Sequence, residues 1–182
     1  MRVSASIDPS DEEQQILAQV RNGDQAAFRI LFDRYHYEVY RFCALIVGDR
    51  APAEDVYQET FFAFYRMCRD GAKIRNVHGL LLTMARNRCL NYLKGRQRTL
   101  PLDRIEEQKV SPDMDAFDMA EHLQEALMQI PVQYREALLL YEVEGYSYRE
   151  IADSLETTLH VVKNRIYYAK RALRSLLASL FP

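Results

Sequence analysis

The chain has 182 residues, 48% of them apolar and 27% charged, with 24 basic against 26 acidic side chains and a formal net charge of −2. The apolar share is enough to bury a core and excludes a wholly disordered chain, while the length leaves room for one ordinary domain or two small ones. The near-balance of charge excludes a general polycation, so any nucleic-acid contact must rest on local basic patches.

Residues 1–10 hold no apolar signal core and read as a flexible tail. From there apolar residues recur at helical spacing. Ile16, Leu17 and Val20 begin the pattern. From Asp24 onward Ala27, Ile30, Leu31, Tyr35, Val39, Phe42, Ile46 and Val47 continue it, and Gly48 stands where a helix-ending glycine is expected. A further helix is predicted over 52–69, opened by Pro52 in its first turn and closed by Gly71. After a short polar loop, Asn76 is positioned to cap a helix over 77–94.

Composition shifts after Arg98. Residues 99–121 hold Pro101 and Pro112, with Asp103, Glu106, Glu107, Asp113, Asp115 and Asp118 among their acids and no sustained apolar period. The segment 99–116 reads as an acidic linker between two helical domains, 11–98 and 117–182. Helices are predicted over 117–129 and from Pro131 to near Glu142, with Gly145 just beyond. Ser147 and Glu150 have the spacing of a capping box and open a short helix to Leu155. Glu156 and Thr157 form a turn, and a last helix is predicted over 158–180. No strand-like alternation and no internal repeat is present, so the expected fold class is all-α, in two small domains.

Cys43, Cys68 and Cys89 are odd in number and form no C-x-x-C pair. They read as small core residues of a reduced, cytosolic protein. No apolar run is long enough to span a bilayer. His36, His78, His122 and His160 share no metal-ligand spacing and read as surface residues, so neither a metal nor a cofactor is expected. Tyr35, Tyr40 and Tyr141 fit core positions with a wet hydroxyl.

The two helices around Glu156 form a candidate helix-turn-helix, in which the second helix enters the major groove. Val162, Ile166, Ala169 and Leu173 make its inward stripe. Lys163, Arg165, Lys170, Arg171 and Arg174 are basic, with no acid among them. That face suits phosphate and base-edge contacts, and a solvated basic helix is the plainer alternative.

The residue order goes further. PVQYREALLLYEVEGYSYREIADSLETTLHVVKNRIYYAKRAL, from Pro131 to Leu173, resembles region 4 of the sigma-70 family of bacterial RNA polymerase initiation factors, and within it the extracytoplasmic function (ECF) group. AEDVYQETF, around Asp55, resembles the AEDLVQETF stretch of sigma region 2. The two motifs occur in order in one chain, and the resemblance runs from about Asp24 to Leu177.

The resemblance implies a promoter-recognition factor with no reaction of its own and no small-molecule substrate or membrane insertion. It implies core RNA polymerase and promoter DNA as partners, and an anti-sigma protein as a regulator. Asp55, Gln58, Glu59 and Phe62 fall at polymerase contacts, with Phe61 and Phe62 shared between core and interface. For the promoter's −10 element, where a base is unstacked from the non-template strand, it implies Tyr65, Lys73, Arg75, Asn76, Arg86, Arg88 and Lys94. For the −35 element it implies Lys163, Asn164, Tyr167 and Tyr168 near base edges, Arg165 and Arg171 on phosphates, and Thr158 and His160 at the helix start. The acidic linker would follow a nucleic-acid path through the polymerase.

Three departures stand out. Glu156 replaces a family glycine in the turn, and His160-Val161 replaces Gly-Thr. The chain also has no tryptophan, and Tyr65 and Leu81 fall near the family's usual positions. Two other readings of the residues are a stand-alone helix-turn-helix regulator, which leaves AEDVYQETF unexplained, and a metal-dependent hydrolase built on Asp55 and Glu59.

Overall fold

A computed structural model describes residues 11–99 and 116–180. The expected tail and the expected linker, apart from its end residues Thr99 and Ala116, lie outside the described residues. Eight helices and no strand occur among the described residues. They are α1 (Asp11–Arg21), α2 (Gln25–Val47), α3 (Arg50–Arg69), α4 (Val77–Thr99), α5 (Ala116–Gln129), α6 (Val132–Glu142), α7 (Tyr148–Ser154) and α8 (Leu159–Leu180). The chain divides into two compact units between Asn91 and Tyr92, inside α4.

Helix starts follow the local capping chemistry. Asp24 accepts from the amides of Ala26 and Ala27 and starts α2. Asn76 Oδ1 accepts from the Gly79 amide at 2.8 Å and starts α4. Helix α3 begins at Arg50, earlier than Pro52 suggested, because Asp49 caps it through the Ala51 amide. Pro52 then sits where a first-turn amide has no intrahelical acceptor, so its missing N–H costs nothing. Helix α4 runs on to Thr99, past the expected end at Lys94. Lysine, arginine and glutamine there are good helix formers, and Gly95 alone does not stop them.

In the first unit, α2 packs on α3 and α1. Leu31, Val39, Phe42, Ile46, Phe64 and Leu81 are its largest fully buried side chains, together with Val20 and Val77. Helix α1 is pinned to α2 by a buried acid. Glu13 is 5% exposed, accepts the Tyr35 hydroxyl, and pairs with Arg34 at 3.2 Å. The Tyr35 hydroxyl is therefore spent inside and not on water. Burial and that hydrogen bond together push its phenol well above the ordinary range. His78 likewise has an internal role, pairing with Glu38 at 3.2 Å.

All three cysteines are buried and free. A hydrogen bond to Cys89, then burial, raises the Cys43 thiol, and burial pushes the Cys68 thiol from 9.0 up to about 12.

In the second unit, α8 is the central helix, packed on α6, α7 and α5. Arg135 is 4% exposed and donates to the Leu127 carbonyl at 3.0 Å, which ties α6 to the end of α5. The expected capping box of α7 is present, with both Ser147–Glu150 bonds made.

The buried thiols set a pH response. A thiol raised by folding stays protonated in the folded chain while the unfolded chain releases its proton, so the unfolded state binds fewer protons. Stability is expected to fall as pH rises from 9.0 toward about 12, and Cys68→Ala should flatten that slope. Urea midpoints measured at neutral and alkaline pH check this, and a midpoint rising through that window contradicts it.

Candidate nucleic-acid interface

Helical spacing sorts α3 into two faces. Ala53, Val56, Thr60, Phe61, Phe64 and Cys68 are buried. Thr60 satisfies its hydroxyl locally, donating to the Val56 carbonyl at 2.7 Å. Asp55, Gln58, Glu59 and Phe62 are exposed and follow one another at the spacing of a single outer stripe. Phe61 is core, edge-on to Phe32 and Tyr57 at 4.9 and 5.3 Å, whereas Phe62 is 66% exposed. Two carboxylates, an amide and a bare aromatic ring on a helix surface suit a protein partner. The carboxylates stand in solvent, where they lack the enclosure a hydrolase needs.

The loop 70–76 leaves α3 through Gly71, at φ +75°. The Gly71 amide donates to the Cys68 carbonyl at 3.2 Å and the Ala72 amide to the Met67 carbonyl at 3.1 Å. This is the Schellman ending, which needs a left-handed residue and closes two otherwise open carbonyls. Lys73 and Arg75 are exposed on either side of buried Ile74. Asn76 is exposed, with its oxygen committed to capping α4. Tyr65 is half-buried, edge-on to Phe28 at 4.8 Å. Arg86 and Arg88 are also half-buried, bonded to Asn87 and to the Met84 carbonyl, and Lys94 is exposed.

Helix α8 buries Val162, Ile166 and Ala169 as its spacing predicts, while Leu173, the fourth member of the expected stripe, is half-buried. Lys163, Asn164, Tyr167, Tyr168 and Arg171 are exposed. The two tyrosine rings meet edge to face at 5.4 Å. His160 Nε2 lies 3.0 Å from the Asn164 amide nitrogen, so the two act as a unit. Thr158 caps the helix, accepting from the Val161 amide at 3.3 Å. Arg165 is turned inward: it pairs with Glu136 at 3.5 Å, with side-chain exposures of 21% and 3%. Sequence reasoning missed Glu136, because only the folded chain brings α6 against α8.

The turn before α8 is another Schellman ending. Thr157 N–H donates to the Ala152 carbonyl at 2.9 Å and Glu156 N–H to the Asp153 carbonyl at 3.3 Å. Glu156 occupies the left-handed position at φ +49°, the sole non-glycine there among the described residues. The left-handed turn is thus made here without a glycine.

A helical bundle with an exposed acidic-aromatic stripe, followed by a helix-turn-helix with a basic outer face, is the architecture of a two-part helix-turn-helix protein. Residues 31–99 match the sequence model of Sigma-70 region 2, and residues 120–173 match that of Sigma-70, region 4. The chain is 32% identical to the ECF RNA polymerase sigma factor SigE of Mycolicibacterium smegmatis, covering 94% of this chain and 71% of that one. It is 28% identical to the RNA polymerase sigma-H factor of Pseudomonas aeruginosa, covering 93% and 96%. Its fold matches CnrH, solved in complex with the cytosolic domain of CnrY, at a TM-score of 0.67 and 23% identity over 93% and 99% of the two chains. It matches equally, at 20% identity over 83% and 96%, the sigma factor RpoE of Bartonella quintana, solved in complex with the anti-sigma factor NepR.

The chain belongs to the sigma-70 family, in its ECF group. It is a transcription initiation factor that directs core RNA polymerase to promoters. Members of this family are known as non-catalytic initiation factors. Among the described residues, no helix is long and apolar enough to cross a membrane.

Two stability changes follow from this geometry. Glu156→Gly should stabilise the second unit by about 1 kcal/mol, the usual size of the left-handed penalty on a side chain. A lower thermal midpoint in that variant would contradict the assignment. Glu136→Gln should cost about 2 kcal/mol, since it strips a buried charged partner from Arg165. Urea denaturation followed by circular dichroism reads both.

Proposed function

We propose that the stripe Asp55, Gln58, Glu59 and Phe62 is the docking face for core RNA polymerase. The observation that carries this is the exposure of all four on one side of α3, with the neighbouring Phe61 inside. An apolar ring held outward at 66% exposure costs solubility unless a partner covers it. The adjacent carboxylates would choose a basic partner surface.

The promoter contacts follow. Lys73, Arg75 and Lys94 supply charge toward the opened strand of the −10 element. Asn76 shapes that surface by capping α4. Tyr65, Arg86 and Arg88 are half-buried and would reach DNA only at their exposed edges. At the −35 element, Lys163, Asn164, Tyr167 and Tyr168 present the base-reading face and Arg171 a phosphate contact. Thr158, His160 and Arg165 act on the same helix, Thr158 as its cap and Arg165 partly through its pair with Glu136.

The chain has no reaction of its own in this reading and works in the cytoplasm, where the polymerase is. The reading divides the chain into tail 1–10, domain 11–98, linker 99–116 and domain 117–182. A regulator of the anti-sigma class would hold it inactive. An apolar groove of about 700 Å³ between α5, α6 and α8, walled by Leu123, Leu127, Leu138, Leu173 and Leu177, supports a partner that offers an apolar helix face.

The test is co-elution with core RNA polymerase on a sizing column. Wild type should co-elute, and Asp55→Arg/Glu59→Arg should lose at least most of the complex while keeping its helical circular-dichroism spectrum. Failure of the wild type to co-elute would refute the docking assignment.

A further inference from the structure

Helix α1 lies outside the stretch matched to sigma region 2, which begins at residue 31. It is nonetheless built into the loop that follows α3. Gln14 Nε2 donates to the Ile74 carbonyl at 2.9 Å. Ile74 is 6% exposed, so the middle of the loop is held at both its backbone and its side chain.

The ends of α1 and α3 are clasped reciprocally. Each ends in arginine, one polar residue and a left-handed glycine: Arg21-Asn22-Gly23 and Arg69-Asp70-Gly71. Each arginine lies over the other helix's glycine. A Cβ added to Gly71 would come within 2.8 Å of Arg21 Cζ and Nε, and one added to Gly23 within 2.9 Å of Arg69 Nη1. Glycine is favoured at 71 by its left-handed backbone at φ +75°, and the Arg21 guanidinium rests where a Cβ would stand, a contact that the exposed arginine can relieve by shifting. Cations at helix C-termini are also placed well for the open carbonyls there. Between α1 and the loop lies a cavity of about 440 Å³ whose lining includes Leu17, Arg21, Lys73 and Arg75.

We propose that α1 is a brace for the loop 70–76, and that Gln14, Arg21 and Arg69 are positioning residues for base recognition in the −10 element. The proposal rests on the reading that this loop, through Lys73 and Arg75, meets the opened promoter strand. A surface loop ordinarily loses freedom when it binds, and that entropy weakens and blurs recognition. Here the loop is ordered before DNA arrives. The alternation of exposed Lys73, buried Ile74 and exposed Arg75 is fixed by a bond from another helix. Arg21 and Arg69 are exposed, so their effect on global stability is small, while their effect on loop geometry is direct.

The experiment uses the full chain assembled with core RNA polymerase. Binding is measured on promoter fragments that differ at single positions of the non-template −10 element, and on a fragment carrying the −35 element alone. For the wild type, the preferred base should win by about tenfold or more, the ordinary penalty of one mismatch. Gln14→Ala and Arg21→Ala should each cut that ratio several-fold, with co-elution, thermal midpoint and −35-only binding unchanged. Gln14→Glu, similar in size but no donor, should behave like Gln14→Ala, and Arg21→Lys should recover part of the ratio.

The brace is overturned if the α1 variants keep the wild-type ratio while Lys73→Ala/Arg75→Ala loses it. It is overturned as well if the α1 variants lose −10 and −35 binding in parallel, which marks a general folding defect. A wild type without base preference, or one whose preference survives Lys73→Ala/Arg75→Ala, removes the loop reading itself and the brace with it.

Discussion

Both surfaces proposed to meet DNA depend on how the helix before them ends. A helix closes sharply only if one residue turns left-handed and the two residues beyond its last turn hand their amides back to open carbonyls. At Gly71 this reversal aims the loop carrying Lys73 and Arg75. At Glu156 it sets the angle between α7 and α8, and so the direction in which Lys163, Asn164 and the tyrosine pair point. The hydrogen bonds are the same in kind at both places. Only the residue at the left-handed position differs, which separates the requirement for the geometry from the requirement for glycine. Glycine at 71 is favoured by φ, and the Arg21 guanidinium packs on it. At 156 the side chain is exposed, so its penalty is confined to its own backbone.

The charges inside the two units have a different task from those outside. Glu13 with Arg34 and Tyr35 joins α1 to α2, and Glu136 with Arg165 joins α6 to α8. Buried pairs of this sort contribute little net stability over an apolar replacement, because desolvation offsets attraction. What they fix is register, since a helix that slipped by one residue would strand a charge in the core. Helices α1 and α8 are each held this way, and each carries residues on which a proposed recognition surface relies. Arg165 illustrates the division: basic and on the recognition helix, it nonetheless spends its guanidinium on Glu136.

The local features were legible in the sequence. Asn76, Ser147 with Glu150, Gly48 and Gly71 mark helix ends because capping and left-handed turns act within a few residues. The stripe of Val162, Ile166 and Ala169 was legible for the same reason. Where two local signals compete, one hides the other: Pro52 masks Asp49, the cap that lets α3 start at Arg50. What one sequence cannot display is which partner a side chain finds across the fold. Phe61 and Phe62 are identical as letters, yet one is core and the other bare. Arg165 and Arg171 look equivalent until Glu136 selects one. The clasp of Arg21 and Arg69 left a trace, the repeated arginine, polar residue and glycine, but its meaning needs the packing of α1 on α3.

The charge distribution fits the proposed dependence of promoter recognition on the polymerase. Its net charge is −2, so at a distance it offers DNA no attraction. The basic side chains of α8 act only within about a Debye length, roughly 8–10 Å at physiological salt. The proposed −10 surface has the same short reach. Two short-range readers on one chain bind weakly alone but gain strongly when both can engage at once, because the second contact becomes intramolecular. In this reading the stripe on α3 is what turns two weak readers into one promoter-recognition device. The polymerase would supply the spacing that links them.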